Sequence, residues 1–161
     1  CEFTVVSKND SGAIINLGDT DSYNQGRIKY DNSTNSLAFR TSATDALTID
    51  SSQNTTFASA TYGPAKAVGA LELDLSTGNY FTKTISGNST FTFANPAASG
   101  TVSIFMLELT HSSGTVTWPG TVKWNADTAP TLTTGKTHLF MFVTDDNGSR
   151  YRGSALVDYV N

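Results

Sequence analysis

Short apolar clusters separated by turn-forming residues dominate the first third of this chain. The clusters are about four residues long and recur at roughly ten-residue intervals, a spacing that predicts short β-strands joined by tight turns. No long stretch has the 3.6-residue apolar period of a helix. Thr, Ser and Asn, with 25, 18 and 12 residues, favour strands and turns in the same way, so we predict an all-β protein. The clusters are Phe3–Val6, Ala13–Leu17, Arg27–Tyr30, Leu37–Arg40 and Ala46–Ile49.

The amino-terminal segment contains too few large apolar residues to close a core of its own. Only 14 of residues 1–57 are Val, Ile, Leu, Met, Phe, Trp or Tyr. Strands this short bury little surface unless one face of the sheet packs against something else. We therefore predict that residues 1–57 form a short-stranded stalk or docking segment, which buries one face against other copies of the chain.

The remainder of the chain has the pattern of an independent β-domain. In residues 68–161, 30 of 94 residues are large and apolar. The stretch Leu71–Leu75 alternates leucines with acidic residues, which predicts one buried and one solvated face. Val102–Leu109 and Leu139–Val143 are apolar on both faces, which predicts central strands covered on both sides. We expect a β-sandwich or jelly-roll-like domain over 68–161, preceded by a connector over 58–67, where small residues show no period.

Charge and motifs exclude several functional classes. The net charge is −4 and the pI is about 4.9, without any Lys/Arg cluster, so nucleic acid is not an expected partner. No apolar run reaches the ~18 residues of a membrane span. The single cysteine, Cys1, cannot form an internal disulfide or a thiolate metal cluster. A phosphate-binding loop and a serine-hydrolase elbow are also absent, so we predict a protein that is not an enzyme and has no cofactor.

Two groups of motifs resemble those of bacteriophage virion proteins. Residues 26–41 contain Gly-Arg-Ile-Lys-Tyr-Asp and then Asn-Ser-Leu-Ala-Phe, and residues 47–51 end in Ile-Asp-Ser. This segment resembles one that is common in phage tail fibres, where a Gly-x-Val-Gly-Ile strand usually follows; here Gln-Asn-Thr-Thr-Phe stands at 53–57. Leu-Asp-Leu-Ser-Thr-Gly-Asn-Tyr-Phe at 73–81 and Thr-Trp-Pro at 117–119 are similar to a carboxy-terminal domain of structural proteins in phages of aquatic bacteria. The resemblance implies a trimeric, cofactor-free virion component that binds through its surface.

Two tryptophans are the candidate surface-binding residues. Trp118 and Trp124 flank a Pro-Gly turn, and Lys123 lies between them in sequence. Exposed together, these residues would form an aromatic platform that stacks on the sugars of a host receptor. The alternative, which we favour, is that both rings cover the end of the domain core beside the turn.

Candidate catalytic and metal-binding residues are sparse. His111 and His138 lie in no ligand or triad motif, so we predict structural roles for both. The loop 19–26 offers oxygen ligands for a weak Ca²⁺ site but lacks the ligand order of known calcium loops, and we predict no metal. Glycan-cleaving enzymes require a pair of carboxylates. The candidate pairs are Asp19 with Asp21, Glu72 with Asp74, and Asp145 with Asp146.

Three functions follow from this reading of the sequence. The first is a homotrimeric tail-fibre or appendage subunit in the virion, with other virion proteins and a host-surface glycan as further partners. The second is a capsid decoration (cement) protein. The third is a glycan-binding or glycan-cleaving module, which would need two carboxylates roughly 5 to 10 Å apart in a cleft.

Overall fold

The computed structural model describes residues 1–160, which belong to two compact units, residues 1–62 and residues 63 onward. The predicted all-β fold is confirmed, because the single helical element among the described residues is a 3-10 turn, Asn125–Asp127. None of the helical structure in this part of the chain has the length and hydropathy needed to cross a membrane.

The first unit is a five-stranded antiparallel meander in which each strand pairs with the next. Four of the five predicted apolar clusters form strands. The cluster Phe3–Val6 is not a strand, because the sheet ends at a turn that follows it. The Asn32 side-chain amide holds this turn by donating hydrogen bonds to Ser7 Oγ and to the Ser11 carbonyl. The strands are β1 (Gly12–Leu17), β2 (Gly26–Asp31), β3 (Ser36–Thr41), β4 (Thr44–Ile49) and β5 (Thr55–Phe57).

The second unit contains a mixed six-stranded sheet and a smaller second layer. Its first strands are β6 (Ala65–Ala67), β7 (Glu72–Asp74), β8 (Tyr80–Ser86), β9 (Ser89–Thr90) and β10 (Thr92–Ala94). They are followed by β11 (Ser103–Ser113), β12 (Val116–Thr117), β13 (Val122–Trp124), β14 (Lys136–Thr144) and β15 (Tyr151–Tyr159). The large sheet has the order β13-β15-β14-β11-β8-β6, and the pairs β10-β7 and β12-β9 are parallel. This architecture is sandwich-like, as predicted.

The chain moves back and forth between the two layers of the second unit. Strands β6, β8 and β11 are parallel neighbours in the large sheet. A β-strand of the second layer lies in each connection between them: β7 in the first, and β9 with β10 in the second. The neighbours β11, β14 and β15 are antiparallel, and the edge strand β13 is parallel to β15. The crossovers account for the parallel pairs, since parallel neighbours require a long connection rather than a tight turn.

The core of the second unit is aromatic. Phe105 and Phe142 stack with ring centroids 5.1 Å apart, and Phe93 meets Phe105 edge-on at 5.1 Å. The alternation predicted in 71–75 is confirmed, because Leu73 is fully buried while its flanking leucines pack against the core from partly buried positions. The buried cluster comprises Leu73, Phe81, Ile85, Phe91, Phe105, Leu107, Leu109, Val122, Phe140, Phe142 and Tyr151.

Two sequence predictions need correction in this unit. The connector predicted over 58–67 includes the edge strand β6, whose Ala-Lys-Ala sequence is exposed and therefore lacks an apolar pattern. The second concerns Val102–Leu109 and Leu139–Val143. The strands that contain these stretches are central in the sheet, as predicted. The prediction that both of their faces are covered is wrong for this chain, because the inward residues are buried whereas Ile104 and Met141 on the other face are exposed.

The loop that contains residues 145–148 is a hairpin connection, since it joins the antiparallel strands β14 and β15. Its conformation is held by the carboxylate of Asp146. Asp146 Oδ1 accepts hydrogen bonds from Thr144 Oγ1 and from the Arg150 backbone N–H, both at 3.0 Å.

We expect Gly114→Ala to lower the free energy of unfolding of the second unit by about 3 kcal/mol. Gly114 has φ +92°, and a Cβ there would lie 2.1 Å from the carbonyl carbon of Gly87, which is rigid backbone. The matched control is Gly100→Ala, where φ is +86° but nothing lies within 4 Å, so only about 1 kcal/mol of strain is expected. Denaturant titration followed by tryptophan fluorescence measures both. Equal losses for the two variants would contradict the close approach at Gly114.

Candidate assembly surface

The register of the first unit places its apolar side chains on one face of the sheet. Ile15 pairs with Ile28, Ile28 with Phe39, Phe39 with Leu47, and Leu47 with Phe57, so one continuous apolar row crosses all five strands. A neighbouring row follows the same register. We define the apolar face as Ala13, Ile15, Leu17, Ile28, Tyr30, Leu37, Phe39, Leu47, Ile49 and Phe57.

No side chain of the apolar face is buried within the chain. The central residues Ile28 and Phe39 remain 36% and 37% exposed, and Phe57 on β5 is 55% exposed. Single exposed apolar residues are ordinary on protein surfaces, but a contiguous apolar sheet face marks an interaction site. Each Å² of this face that leaves water contributes roughly 25 cal/mol to association. The first unit is therefore an open half of a hydrophobic core.

The opposite face of the first unit is largely polar, and its charged side chains are paired. Lys29 Nζ lies 2.6 Å from Asp31 Oδ2, and Arg40 Nε lies 3.1 Å from Asp45 Oδ1. Arg27 adds a longer contact of 3.5 Å to the same Asp45 oxygen. Charges that are satisfied in this way remain in water at little cost. The contrast between the two faces indicates which one is available for burial.

Aspartate side chains cap two turns that set the register of this sheet. Asp31 Oδ1 accepts hydrogen bonds from the Ser33 backbone N–H at 3.0 Å and from Ser33 Oγ at 2.6 Å. Asp50 accepts hydrogen bonds from the backbone N–H groups of Ser52 and Asn54 and from the Asn54 side-chain amide. Turn geometry fixes strand register in hairpins, so these caps help to align the apolar row.

We expect acid to weaken both turns. Hydrogen bonds from Lys29 and Ser33 hold the pKa of Asp31 well below its usual range, and hydrogen bonds from the side chain and backbone of Asn54 lower the pKa of Asp50. Because both pKa values are lower in the folded than in the unfolded chain, the stabilisation is complete above the unfolded value of about 4. It is lost as the pH falls through the folded values.

NMR titration of the amide signals of Ser33 and Asn54 measures these pKa values directly. Both midpoints are expected below 3.8, the ordinary aspartate value. In Asp31→Asn the Ser33 signal should lose this transition while the Asn54 signal keeps it. A midpoint at or above 3.8 for either carboxyl group would show that the hydrogen bonds do not favour its ionised form.

The two tryptophans proposed for surface binding pack against the core of the second unit. Trp118 stacks on Phe91 at 5.3 Å and contacts Phe140 at 4.6 Å, and its ring lies 5.4 Å from that of Trp124. Both rings are partly buried. Lys123 is exposed, and its Nζ lies 3.3 Å from the Gly120 carbonyl. These contacts agree with the packing interpretation, and sugar binding by these residues stays a prediction.

Both histidines make hydrogen bonds with the backbone in the interior of the second unit. His138 is fully buried, and its Nδ1 accepts a hydrogen bond from the Asp158 backbone N–H at 3.2 Å. The proton must then sit on Nε2, which donates to the Thr133 carbonyl at 3.2 Å. His111 Nε2 lies 2.8 Å from the Gly114 carbonyl. The structural roles predicted for both residues agree with these partners.

Four aspartates of the candidate carboxylate pairs, Asp19, Asp74, Asp145 and Asp146, hold loops together or pair with arginines. Asp19 Oδ1 accepts hydrogen bonds from the backbone N–H groups of Asp21 and Ser22, which closes the proposed calcium loop on itself. Asp145 Oδ1 lies 3.3 Å from Arg152 Nη1. Hydrogen bonds from Ser76 and Asn95 lower the pKa of Asp74. Within residues 1–160, no three His, Cys, Asp or Glu side chains are grouped so that they could hold a metal ion.

Comparison with known proteins gives no match: none was found among protein-family models, curated proteins or solved structures. The candidate surface therefore rests on its own geometry. The sequence predicted that one face of the short strands would be buried between chains, but it did not identify the residues. The alternation of side chains within each cluster showed which residues of that strand share a face. The pairing between strands was also needed to show that these residues combine into one face of the sheet.

Proposed function

We propose that the chain is a structural, non-enzymatic subunit of a bacteriophage virion that assembles as a homotrimer, most simply in a tail fibre or similar appendage. The observation that carries this proposal is the exposed apolar face of the first unit. Other virion proteins and a host-surface glycan are its further proposed partners. An exposed apolar face of this kind is suited to assembly with other chains rather than to catalysis in a cleft.

The dimensions of the apolar face suit packing between identical chains. Five strands about 4.8 Å apart and up to six residues long form a surface of roughly 20 by 20 Å. Closed symmetry would place this surface from each chain around one axis, with the apolar side chains inside and the paired charges outside. Such packing also lets a neighbouring chain shield the free edges β1 and β5, which are otherwise open to uncontrolled strand pairing.

The assignment to a virion is supported by the sequence resemblance. Its first segment, residues 26–41 and 47–51, supplies strands β2 and β3 and part of β4, which are the middle of the open sheet. The motif that resembles fibre proteins therefore carries the middle of the apolar row, Ile28, Phe39 and Leu47. Threefold rather than twofold symmetry also comes from that resemblance.

Light scattering on the purified chain at micromolar concentration tests the assembly. We expect a mass near three times the 17.1 kDa of one chain. A mass of 17.1 kDa would overturn the proposal, since the apolar face would then be stable in water. Electron microscopy of virions labelled with an antibody to this chain tests the location. Label on an appendage supports the tail-fibre role, whereas label over the head would favour the capsid decoration protein instead.

A further inference from the structure

His138 lies at a β-bulge between β14 and β15. The strand register shifts at this point, so two residues of β15, Val157 and Asp158, stand opposite His138 alone. Asp158 has φ +69°, a left-handed conformation that is uncommon for residues other than glycine. Bulges of this kind redirect side chains and interrupt the backbone hydrogen bonds of a sheet. The His138 ring takes the place of a backbone acceptor here, because its Nδ1 accepts the hydrogen bond from the Asp158 N–H.

Asp158 presents two groups of opposite hydrogen-bonding character to this one ring nitrogen. Its backbone N–H donates to His138 Nδ1 at 3.2 Å, and its carboxylate Oδ1 lies 3.8 Å from the same atom. The N–H suits the neutral ring, in which Nδ1 carries a lone pair, whereas the carboxylate suits the protonated ring, in which Nδ1 is a donor. The other ring nitrogen, Nε2, donates to the Thr133 carbonyl in both states. The site therefore contains a partner for either protonation state of His138.

The neighbouring His111 lacks such a second partner. The two histidine rings lie 6.0 Å apart, and His111 Nε2 meets the Gly114 carbonyl. His111 Nδ1 is buried, and it has no hydrogen-bond partner among the described residues. A proton on this atom would create a buried charge without an acceptor, and Lys136, which pairs with His111 in register, adds a like charge. We therefore expect the first proton to go to His138, beside the Asp158 carboxylate.

We infer that protonation of His138 exchanges its hydrogen bond with the Asp158 backbone for one with the Asp158 carboxylate, and that this exchange moves the carboxy-terminal end of β15. A proton taken from solvent makes Nδ1 a donor, so it and the Asp158 N–H become two donors facing each other. The carboxylate must approach by about 1 Å to accept the new hydrogen bond. The displaced N–H can bind water instead, because Asp158 is exposed.

Little packing resists such a movement. Val157, Asp158 and Tyr159 are all exposed, and only the pair between Tyr159 and Thr137 follows the bulge in the described part of β15. Histidine is the side chain that ordinarily changes charge nearest to neutral pH. The end of β15 is therefore a pH-sensitive element that is local to the second unit.

NMR titration of the full chain tests the exchange, with the ring nitrogens of both histidines and the Asp158 amide as probes. At neutral pH, the His138 ring should carry its proton on Nε2. On acidification, we expect His138 to gain a second proton before His111 does, and the Asp158 amide signal to shift at the same pH. The protection of this amide from hydrogen exchange should fall at least about tenfold in that step. In His138→Gln, the step should be absent, and any shift that remains reports the Asp158 carboxyl group itself.

Asp158→Asn separates the two partners, because it removes the carboxylate and keeps the backbone N–H. Asparagine also tolerates a positive φ, so the bulge is retained. His138 should then remain neutral to a lower pH than in the parent chain. Asp145→Asn is the matched control, since it removes the same charge from the loop that joins β14 to β15, and it should leave the titration of His138 unchanged.

Four results would overturn the inference. They are a neutral His138 ring with its proton on Nδ1, protonation of His111 first, an Asp158 amide that does not follow His138, and an unchanged titration of His138 in Asp158→Asn. Every readout is local to the second unit, so a monomeric mass would overturn the proposed function without affecting these results.

Discussion

Replacing Phe105 with alanine is expected to lower the free energy of unfolding of the second unit by about 3 to 5 kcal/mol. Phe105 is 1% exposed, and its ring contacts Phe142 and Phe93 at 5.1 Å and Phe81 at 6.2 Å. It lies on β11 in the middle of the large sheet, beneath the second layer. Strands on both sides of β11 hold its backbone in place, so the cavity left by the ring cannot readily collapse.

Tryptophan fluorescence isolates this measurement, because Trp118 and Trp124 are both in the second unit. A denaturant titration of Phe105→Ala against the parent chain provides the difference in free energy. Phe3→Ala is the control, since Phe3 is 82% exposed outside every strand, and its effect should stay within about 0.5 kcal/mol. A loss below about 1 kcal/mol for Phe105→Ala would mean that this ring is not part of a close-packed core.

The local sequence pattern was sufficient to predict β1 to β4 and parts of β7, β11 and β14, but not how the strands pair. The clusters at 13–17, 27–30, 37–40 and 46–49 became β1 to β4 with their ends shifted by up to two residues. Turn residues between them specified a simple meander. In the second unit, the parallel crossovers could not be predicted, because strands such as β9 and β12 contain only two residues and no recognisable period.

The apolar face of the first unit could likewise not be predicted from local sequence alone, because it depends on how distant strands pair. Whether Phe39 faces the same side as Ile15 depends on two registers, which no single cluster encodes. The exposure of Ile104 and Met141 was missed for a different reason. Apolar residues on both faces of β11 and β14 predicted cover on both sides, and the fold of one chain provides it on one side.

Phe39→Glu is expected to convert the proposed homotrimer to monomers. Phe39 is at the middle of the apolar row, between Ile28 and Leu47, and its strand β3 is the central strand of the sheet. In the assembled particle, three carboxylates would be buried among apolar side chains with no partner. Desolvation of an unpaired charge costs several kcal/mol even after relaxation. Three such costs oppose association directly, so the mass measured by light scattering should fall to 17.1 kDa.

Thr56→Glu is the matched control, because it adds the same charge to the same sheet on the opposite, polar face. It should leave the trimeric mass unchanged. Phe57→Glu changes the adjacent, 55% exposed residue on the apolar face, where the single chain tolerates a charge and only association is disfavoured. In all three variants, the tryptophan fluorescence of the second unit should report an unchanged fold. If Phe39→Glu and Phe57→Glu both remained trimeric, the apolar face would not be the assembly surface.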